Sequence, residues 1–180
     1  MRVITGCAKG AKLQSIESLE TRPTLDRIKE TMFNIIPYYF DDLDILDLFS
    51  GSGALGIEAL SRGAKSCEFV DSNDECCKVI KENLEHTKLI DKANINSGDV
   101  FKTLLMFTNK QKFDIIFMDP PYDKGLANEA VDKILELDLL AEDGVIVCEC
   151  GEHEKITNEN VEVLKEREFK KMSLFILGKK

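Results

Sequence analysis

From residue 44 onward the chain alternates short apolar runs with amphipathic stretches. Residues 44–49 (DILDLF) predict a buried strand, and residues 54–62 a helix opening at a glycine-rich turn. A second strand falls at 67–71, followed by a helix over 73–88 with Val79, Ile80, Asn83 and Leu84 close to one face. Residues 93–99 predict a third strand and 100–108 a short helix. The run FDIIFMD (113–119) is continuously apolar in its middle, which suits a strand covered on both faces. Residues 126–140 read as a helix, with Ala130, Ile134 and Leu137 at helical spacing, and 144–150 as a fifth strand. VEVLKEREF (161–169) and KMSLFILG (171–178) are strand-like and nearly contiguous. So short a gap forces an antiparallel hairpin, because a parallel crossover needs a dozen or more residues.

This alternation predicts an α/β fold: a Rossmann-like, seven-stranded, mostly parallel sheet with helices on both faces and an antiparallel C-terminal hairpin. In such sheets ligands bind outside the carboxyl ends of the strands. The positions to inspect are therefore 50–53, 71–72, 99–100 and 119–122. The first forty residues differ. RVITG and AKL look like two short strands joined by a loop containing Gly6 and Gly10. In TRPTLDRIKETMFNII, Pro23 ends any preceding regular structure and Thr24 is placed to cap a helix. Ile28, Met32, Ile35 and Ile36 then share one helical face. Two parts result: an N-terminal hairpin-and-helix extension (1–40) and a Rossmann-like domain (41–180).

At 180 residues, 43% apolar and 32% charged, the chain can bury a core without a disulfide or metal staple. Its opening residues carry charge and glycine where a secretory leader is apolar. No run approaches the ~18 apolar residues of a membrane span. The expectation is a soluble, cytoplasmic protein. There is no C-x-x-C pair, the histidines are His86 and His153, and no metal-ligand spacing emerges. The six cysteines read as small buried hydrophobes in a reducing compartment. Net charge is −9, unevenly spread. Residues 1–32 carry six basic and four acidic side chains, residues 165–180 six and two, and the stretch between them twelve and twenty-seven. The body would repel a polyanion, whereas the two basic ends could face one.

Three motifs carry chemistry. Gly51-x-Gly53-x-x-Gly56 follows a strand and opens a helix. Glycine lets the backbone turn and approach a ligand closely, and the helix start supplies amide donors. Nicotinamide and flavin enzymes share this pattern. Asp47, inside the preceding strand, is a buried carboxylate that needs a partner, and a ligand ammonium group would serve. Asp71, at the end of the second strand, is placed to accept from ribose hydroxyls; capping the helix before Asn73 is its other reading. Asp99 could accept from an adenine amino group, with the Val100 backbone against the ring, or equally cap the next helix. Last, Asp119-Pro120-Pro121-Tyr122 follows the longest apolar strand. The prolines fix two φ angles and aim the Pro120 carbonyl beside an ionised Asp119. Two such acceptors suit an amino group with two N–H donors, and Tyr122 offers a ring for a base to stack on.

DLFSGSGALG with Asp71, Asp99 and DPPY resembles class I S-adenosylmethionine-dependent methyltransferases acting on exocyclic amino groups. RPTLDRIKETMFNII, DLFSGSGALGIEALSRGA and IFMDPPY together are similar to the bacterial small-subunit (16S) ribosomal RNA guanine-N2 methyltransferases (RsmD-like), over nearly the whole chain. The resemblance implies S-adenosylmethionine held by Asp47, Phe49, Gly51, Ser52 and Gly53, by Asp71 and Ser72 at the ribose, and by Asp99 and Val100 at the adenine. It implies Asp119, Pro120, Pro121 and Tyr122 around the guanine, with Arg22 and Thr24 near the catalytic mouth. Two segments depart from the pattern. The first glycine loop reads GCAKGAK, with Cys7, Ala8 and Ala11 where basic or aromatic residues are common, and the C-terminal hairpin reads REFKKMS in place of a Tyr-Gly turn.

The expected reaction is direct in-line methyl transfer to an unstacked guanine, with alignment as the enzyme's main contribution. So short a chain has little room for a target-recognition domain, so a large preorganised substrate such as a small-subunit particle is expected. Arg2, Lys9, Lys12 and Arg22, with Lys170, Lys171, Lys179 and Lys180, would hold its phosphates. The expected protein is a monomer without metal or membrane partners. Competing readings are an adenine-N6 or cytosine-N4 methyltransferase on DNA or RNA, a non-catalytic RNA-binding subunit with the same fold, and a dinucleotide-binding dehydrogenase, which leaves DPPY unexplained.

Overall fold

The computed structural model describes residues 1–16, 23–37, 39–122 and 124–180, and the backbone only of Pro23, Thr24 and Leu25. The elements run α1 (Pro23–Ile35), β1 (Asp44–Leu48), α2 (Ala54–Ser61), β2 (Ser66–Asp71), α3 (Asp74–Thr87), β3 (Ala93–Ser97), α4 (Val100–Phe107), β4 (Phe113–Met118), α5 (Leu126–Glu136), β5 (Leu140–Gly151), β6 (Val161–Phe169) and β7 (Met172–Lys179). The seven strands form one sheet in the order β3-β2-β1-β4-β5-β7-β6. The first five are mutually parallel, and β7 pairs antiparallel with both β5 and β6. The Rossmann-like sheet with its C-terminal hairpin is thus as the apolar pattern implies.

Alternation along each strand sorts the core into two layers. Ile45, Phe69, Ile115, Phe117, Val145, Val147, Leu174 and Ile176 pack with residues of α1, α2 and α3. Leu46, Leu48, Val70, Ile116, Met118, Ile146 and Leu177 pack with α4 and α5. The central strands are buried on both faces, which is why they read as unbroken apolar runs.

Some local expectations need correction. RVITG and AKL form no regular strands, only one antiparallel bridge between Arg2 and Lys12. The two segments still pair as a short hairpin, through the Val3 amide on the Ala11 carbonyl, Gly10 on Val3 and Leu13 on Met1, and the loop between them is tied to α2, where Cys7 and Ala8 donate to the Ser61 carbonyl and hydroxyl. Helix α1 starts at Pro23, so Thr24 lies inside the first turn and is not the cap. Proline is well placed there, since its missing N–H would have no helical partner. Helix α5 stops at Glu136, four residues short of the expected end. Asp138 takes a left-handed φ of 51°, and Leu140 already pairs with Phe113 as the start of β5.

Gly56 marks the closest approach of α2 to the sheet. A Cβ there would stand 2.4 Å from Cε1 of Phe69 and 2.7 Å from Sγ of Cys67. Gly56→Ala is expected to cost about 1–3 kcal/mol through overpacking, read as a lower midpoint in denaturant unfolding. A midpoint equal to the parent's would mean that the helix slides away freely.

Candidate active site

A cleft with about 840 Å³ of empty space, partly open to solvent, lies at the carboxyl ends of β1, β4 and β5 on the side covered by α1. Its lining includes Asp47, Phe49, Gly51 and Ser52 from β1 and the following loop, Asp119 after β4, and Glu149 on β5. Met1, Ser15, Ile28 and Lys29 close it from the N-terminal segment and α1.

The loop after β1 is shaped by backbone and by two carboxylates. Phe49 sits at φ 56°, a left-handed conformation rare for a side chain of its size, and Gly51 and Gly53 follow at 56° and 76°. Asp47 Oδ2 accepts from the Gly56 amide at 2.9 Å, so β1 holds the first turn of α2 from inside the sheet. Asp71 Oδ2 accepts from the Gly51 amide at 2.8 Å, and its Oδ1 from the Asn73 amide at 2.9 Å. Asn83, fully buried on α3, donates to the Ser52 carbonyl and to the Gln14 carbonyl, and accepts from the Gln14 amide. One amide side chain therefore joins the glycine loop to the N-terminal segment.

The cleft is acidic. Burial holds the Asp47 carboxyl well above the ordinary range, the Gly56 amide opposes this, and the charges of Asp119 and Asp71 add to it. Asp119 is reached by solvent through the open cleft. Protein nonetheless surrounds it enough for desolvation to lift it to about 6. Desolvation also raises Glu149, and the neighbouring Asp119 charge raises it further. Lys29, which lines the cleft, is 3% exposed and bound 3.1 Å from Glu58. An acid-lined, poorly solvated cleft suits a ligand that brings positive charge. S-adenosylmethionine, with its ammonium and sulfonium groups, fits this donor set.

The remaining expected residues lie at neighbouring strand ends. Asp99 caps α4, accepting from the Lys102 amide at 2.9 Å, and Val100 is the first residue of that helix. Ser72 is exposed after β2. Pro120 is buried; Tyr122 is 38% exposed and donates to Glu149 Oε2 at 3.3 Å. Burial is the largest cause raising the Tyr122 hydroxyl, which stays protonated. Arg2, Lys9 and Lys12 are exposed, while Arg22 and the Thr24 side chain lie outside the described residues. Lys170 and Lys171 stand exposed at the β6–β7 turn, beside the cleft end of the sheet. Lys179 is different: it bonds Asp138 and the Leu140 carbonyl at the opposite end.

Sequence reasoning missed Lys29, Glu58, Asn83 and Glu149. Glu149 was accessible by parity: Met118 pairs with Cys148, so residues 119 and 149 follow in register on adjacent strands. Among the described residues no group of His, Cys, Asp and Glu could hold a metal ion, and no helix is long and apolar enough to cross a membrane.

The sheet order and this cleft define a methyltransferase of Rossmann-like fold. A family model described as Conserved hypothetical protein 95 matches residues 1–178. Ribosomal RNA small subunit methyltransferase D of Haemophilus influenzae is 36% identical over 169 residues, covering 93% of this chain and 88% of that protein. Its Escherichia coli namesake is 33% identical over 149 residues, covering 83% and 74%. The solved structure of yhhF from Escherichia coli superposes with a TM-score of 0.87 at 28% identity, over 100% of this chain and 98% of that one. The chain belongs to the Ribosomal RNA small subunit methyltransferase D family.

Proposed function

We propose that this chain transfers the methyl group of S-adenosylmethionine to the exocyclic N2 of a guanine in 16S ribosomal RNA. It acts as a monomer on small-subunit particles in the cytoplasm. The observation that carries this reading is the order of acids along the sheet's carboxyl edge. With strands ordered β3-β2-β1-β4-β5, Asp99, Asp71, Asp47, Asp119 and Glu149 follow one another in space. That order suits adenine, ribose, methionine and then the target base. The relatives named for ribosomal RNA small subunit methylation support the substrate class.

S-adenosylmethionine would supply a methyl group already activated by a cationic sulfur. The chain's own residues then align the acceptor. Asp119 and the Pro120 carbonyl accept from the target amino group, directing its lone pair toward the methyl carbon. Alignment of this kind is worth ~7–11 kcal/mol. Tyr122 stacks on the extruded base and offsets part of its unstacking cost. The exposed Arg2, Lys9, Lys12, Lys170 and Lys171 hold phosphates.

Incubation with methyl-labelled cofactor and unmodified small-subunit particles should place label on a single guanine, recovered as N2-methylguanosine. Recovery as N6-methyladenosine or N4-methylcytidine would overturn the base assignment. Particle affinity should fall about tenfold or more between 50 and 200 mM salt, because phosphate contacts release counterions. A flat salt response would remove the basic residues from the interface.

A further inference from the structure

Glu149 belongs to the cleft, and the alignment of the target base leaves it without a task. It follows Cys148 on β5 as Asp119 follows Met118 on β4, and Met118 and Cys148 are partners in the parallel ladder. Neighbours in register on adjacent strands send their side chains to the same face. Both carboxyls accordingly line the same cleft. Glu149 also accepts the Tyr122 hydroxyl proton at 3.3 Å, which fixes its carboxyl beside the DPPY turn.

We propose that Asp119 and Glu149 form one proton-sharing carboxyl pair, with Glu149 acting through Asp119 to receive the proton that the target amino group sheds. This rests on the methyl-transfer reading. Two carboxylates in one poorly solvated space do not ionise independently, so the second proton leaves only at higher pH. Burial lifts Asp119 to about 6, and Glu149 is raised by burial and then by the Asp119 charge, as such a pair requires. Among the described residues the other titratable groups around the pair are the N-terminal Met1, Asp47 from β1, Lys29 from α1, Tyr122, and Cys148 and Cys150 on the same strand. Lys29 is committed to Glu58 and does not neutralise the pair. Opposite Glu149 on β7 stands Leu174, which is apolar.

The proton balance follows. When the target nitrogen has bonded the methyl carbon it carries one proton too many. That proton passes to Asp119 and on to Glu149, so the pair ends with one shared proton and one negative charge. A lone exposed aspartate, with a pKa near 3.9, is a poor acceptor at pH 7. A carboxylate raised by burial and by a neighbouring negative charge takes up a proton more readily.

The test uses the full chain without cofactor or RNA. Carbon NMR of the side-chain carboxyls should show Glu149 titrating at least about one pH unit lower in Asp119→Asn than in the parent, because the neighbouring charge is gone. An unchanged Glu149 midpoint would overturn the pair. With cofactor and particles, Glu149→Gln should lower the transfer rate about ten- to a hundredfold and move the pH–rate profile, with cofactor affinity within about threefold. Parental rate and profile in Glu149→Gln would likewise overturn it. If glutamine disturbs folding, Glu149→Asp, which keeps the charge, should restore the profile. Should the parent label no ribosomal RNA, the methyl-transfer reading fails on that result alone, while the NMR titration still decides the pair.

Discussion

Asp119→Ala is expected to reduce methyl transfer by at least about a thousandfold while S-adenosylmethionine still binds within a few-fold of the parent affinity. The separation arises from where Asp119 stands. It projects from the turn after β4 into the cleft, beyond the glycine loop and beyond Asp47, which holds the first turn of α2. Its removal leaves the Asp47–Gly56 and Asp71–Gly51 bonds in place, so the cofactor end of the cleft keeps its shape. What is lost is the acceptor that orders the target amine, and misalignment of reacting atoms costs rate rather than affinity. Asp119→Asn retains the size but presents a donor on one side, so it should lose nearly as much. Calorimetry for the cofactor, with label transfer to particles, separates the two effects. A parallel loss of cofactor binding would move Asp119 from the acceptor side to the cofactor side. In the parent, transfer should fall as pH drops below about 6, because Asp119 must be ionised to accept and sits near that value.

The strands were legible because their burial is two-sided. FDIIFMD has no polar face to mislead, and β1, β2 and β5 share that simplicity. The positions at and just past the strand ends could then be read without side-chain geometry, which is why Asp71, Asp99 and Asp119 were found, while Asp47 stood out as a carboxylate inside an apolar strand. The N-terminal segment was not legible in the same way. Its short hairpin is closed locally, but the amides of Ile4, Thr5, Ala8 and Gln14 are satisfied by Glu58, Ser61 and Asn83, residues fifty to seventy positions away, so no local pattern encodes where it packs. Glu149 was hidden for another reason. It sits between Cys148 and Cys150 in a strand where every other inward position is apolar, and only the register with β4 reveals which face it takes. Capping roles are ambiguous from sequence for a physical reason: Asp71 and Asp99 each bond a nearby backbone amide, and a carboxylate so engaged retains lone pairs for a ligand.

The largest loss of stability from a single change is expected at Glu58. This carboxylate on α2 is fully buried and accepts four contacts: the amides of Ile4 at 2.8 Å and Thr5 at 3.0 Å, Arg62 Nε at 2.9 Å, and Lys29 Nζ at 3.1 Å. Lys29 is itself 3% exposed, and burial lowers its pKa despite the attraction of Glu58. Glu58→Ala therefore leaves the Lys29 ammonium on the Arg2 carbonyl without its counter-ion, and the Ile4 and Thr5 amides without their acceptor, inside the protein. Breaking a buried pair from one side costs about 3–5 kcal/mol. At ~2–4 °C per kcal/mol for a domain of this size, the melting temperature should fall by roughly 10 °C. Lys65→Ala is the matching control. It removes a 3.3 Å pair with Asp44 in which the lysine is 62% exposed, and should shift the midpoint by no more than a degree or two. The effect should also reach the site. Met1, Ser15, Ile28 and Lys29 close one side of the cleft, and Glu58 is the anchor that seats the segment carrying Ile4 and Thr5 against α2. Below its lowered melting point, Glu58→Ala should bind S-adenosylmethionine more weakly, whereas Lys65→Ala should not. A melting temperature within 3 °C of the parent would show that Lys29 finds another partner, and that the N-terminal segment is held by its apolar contacts alone.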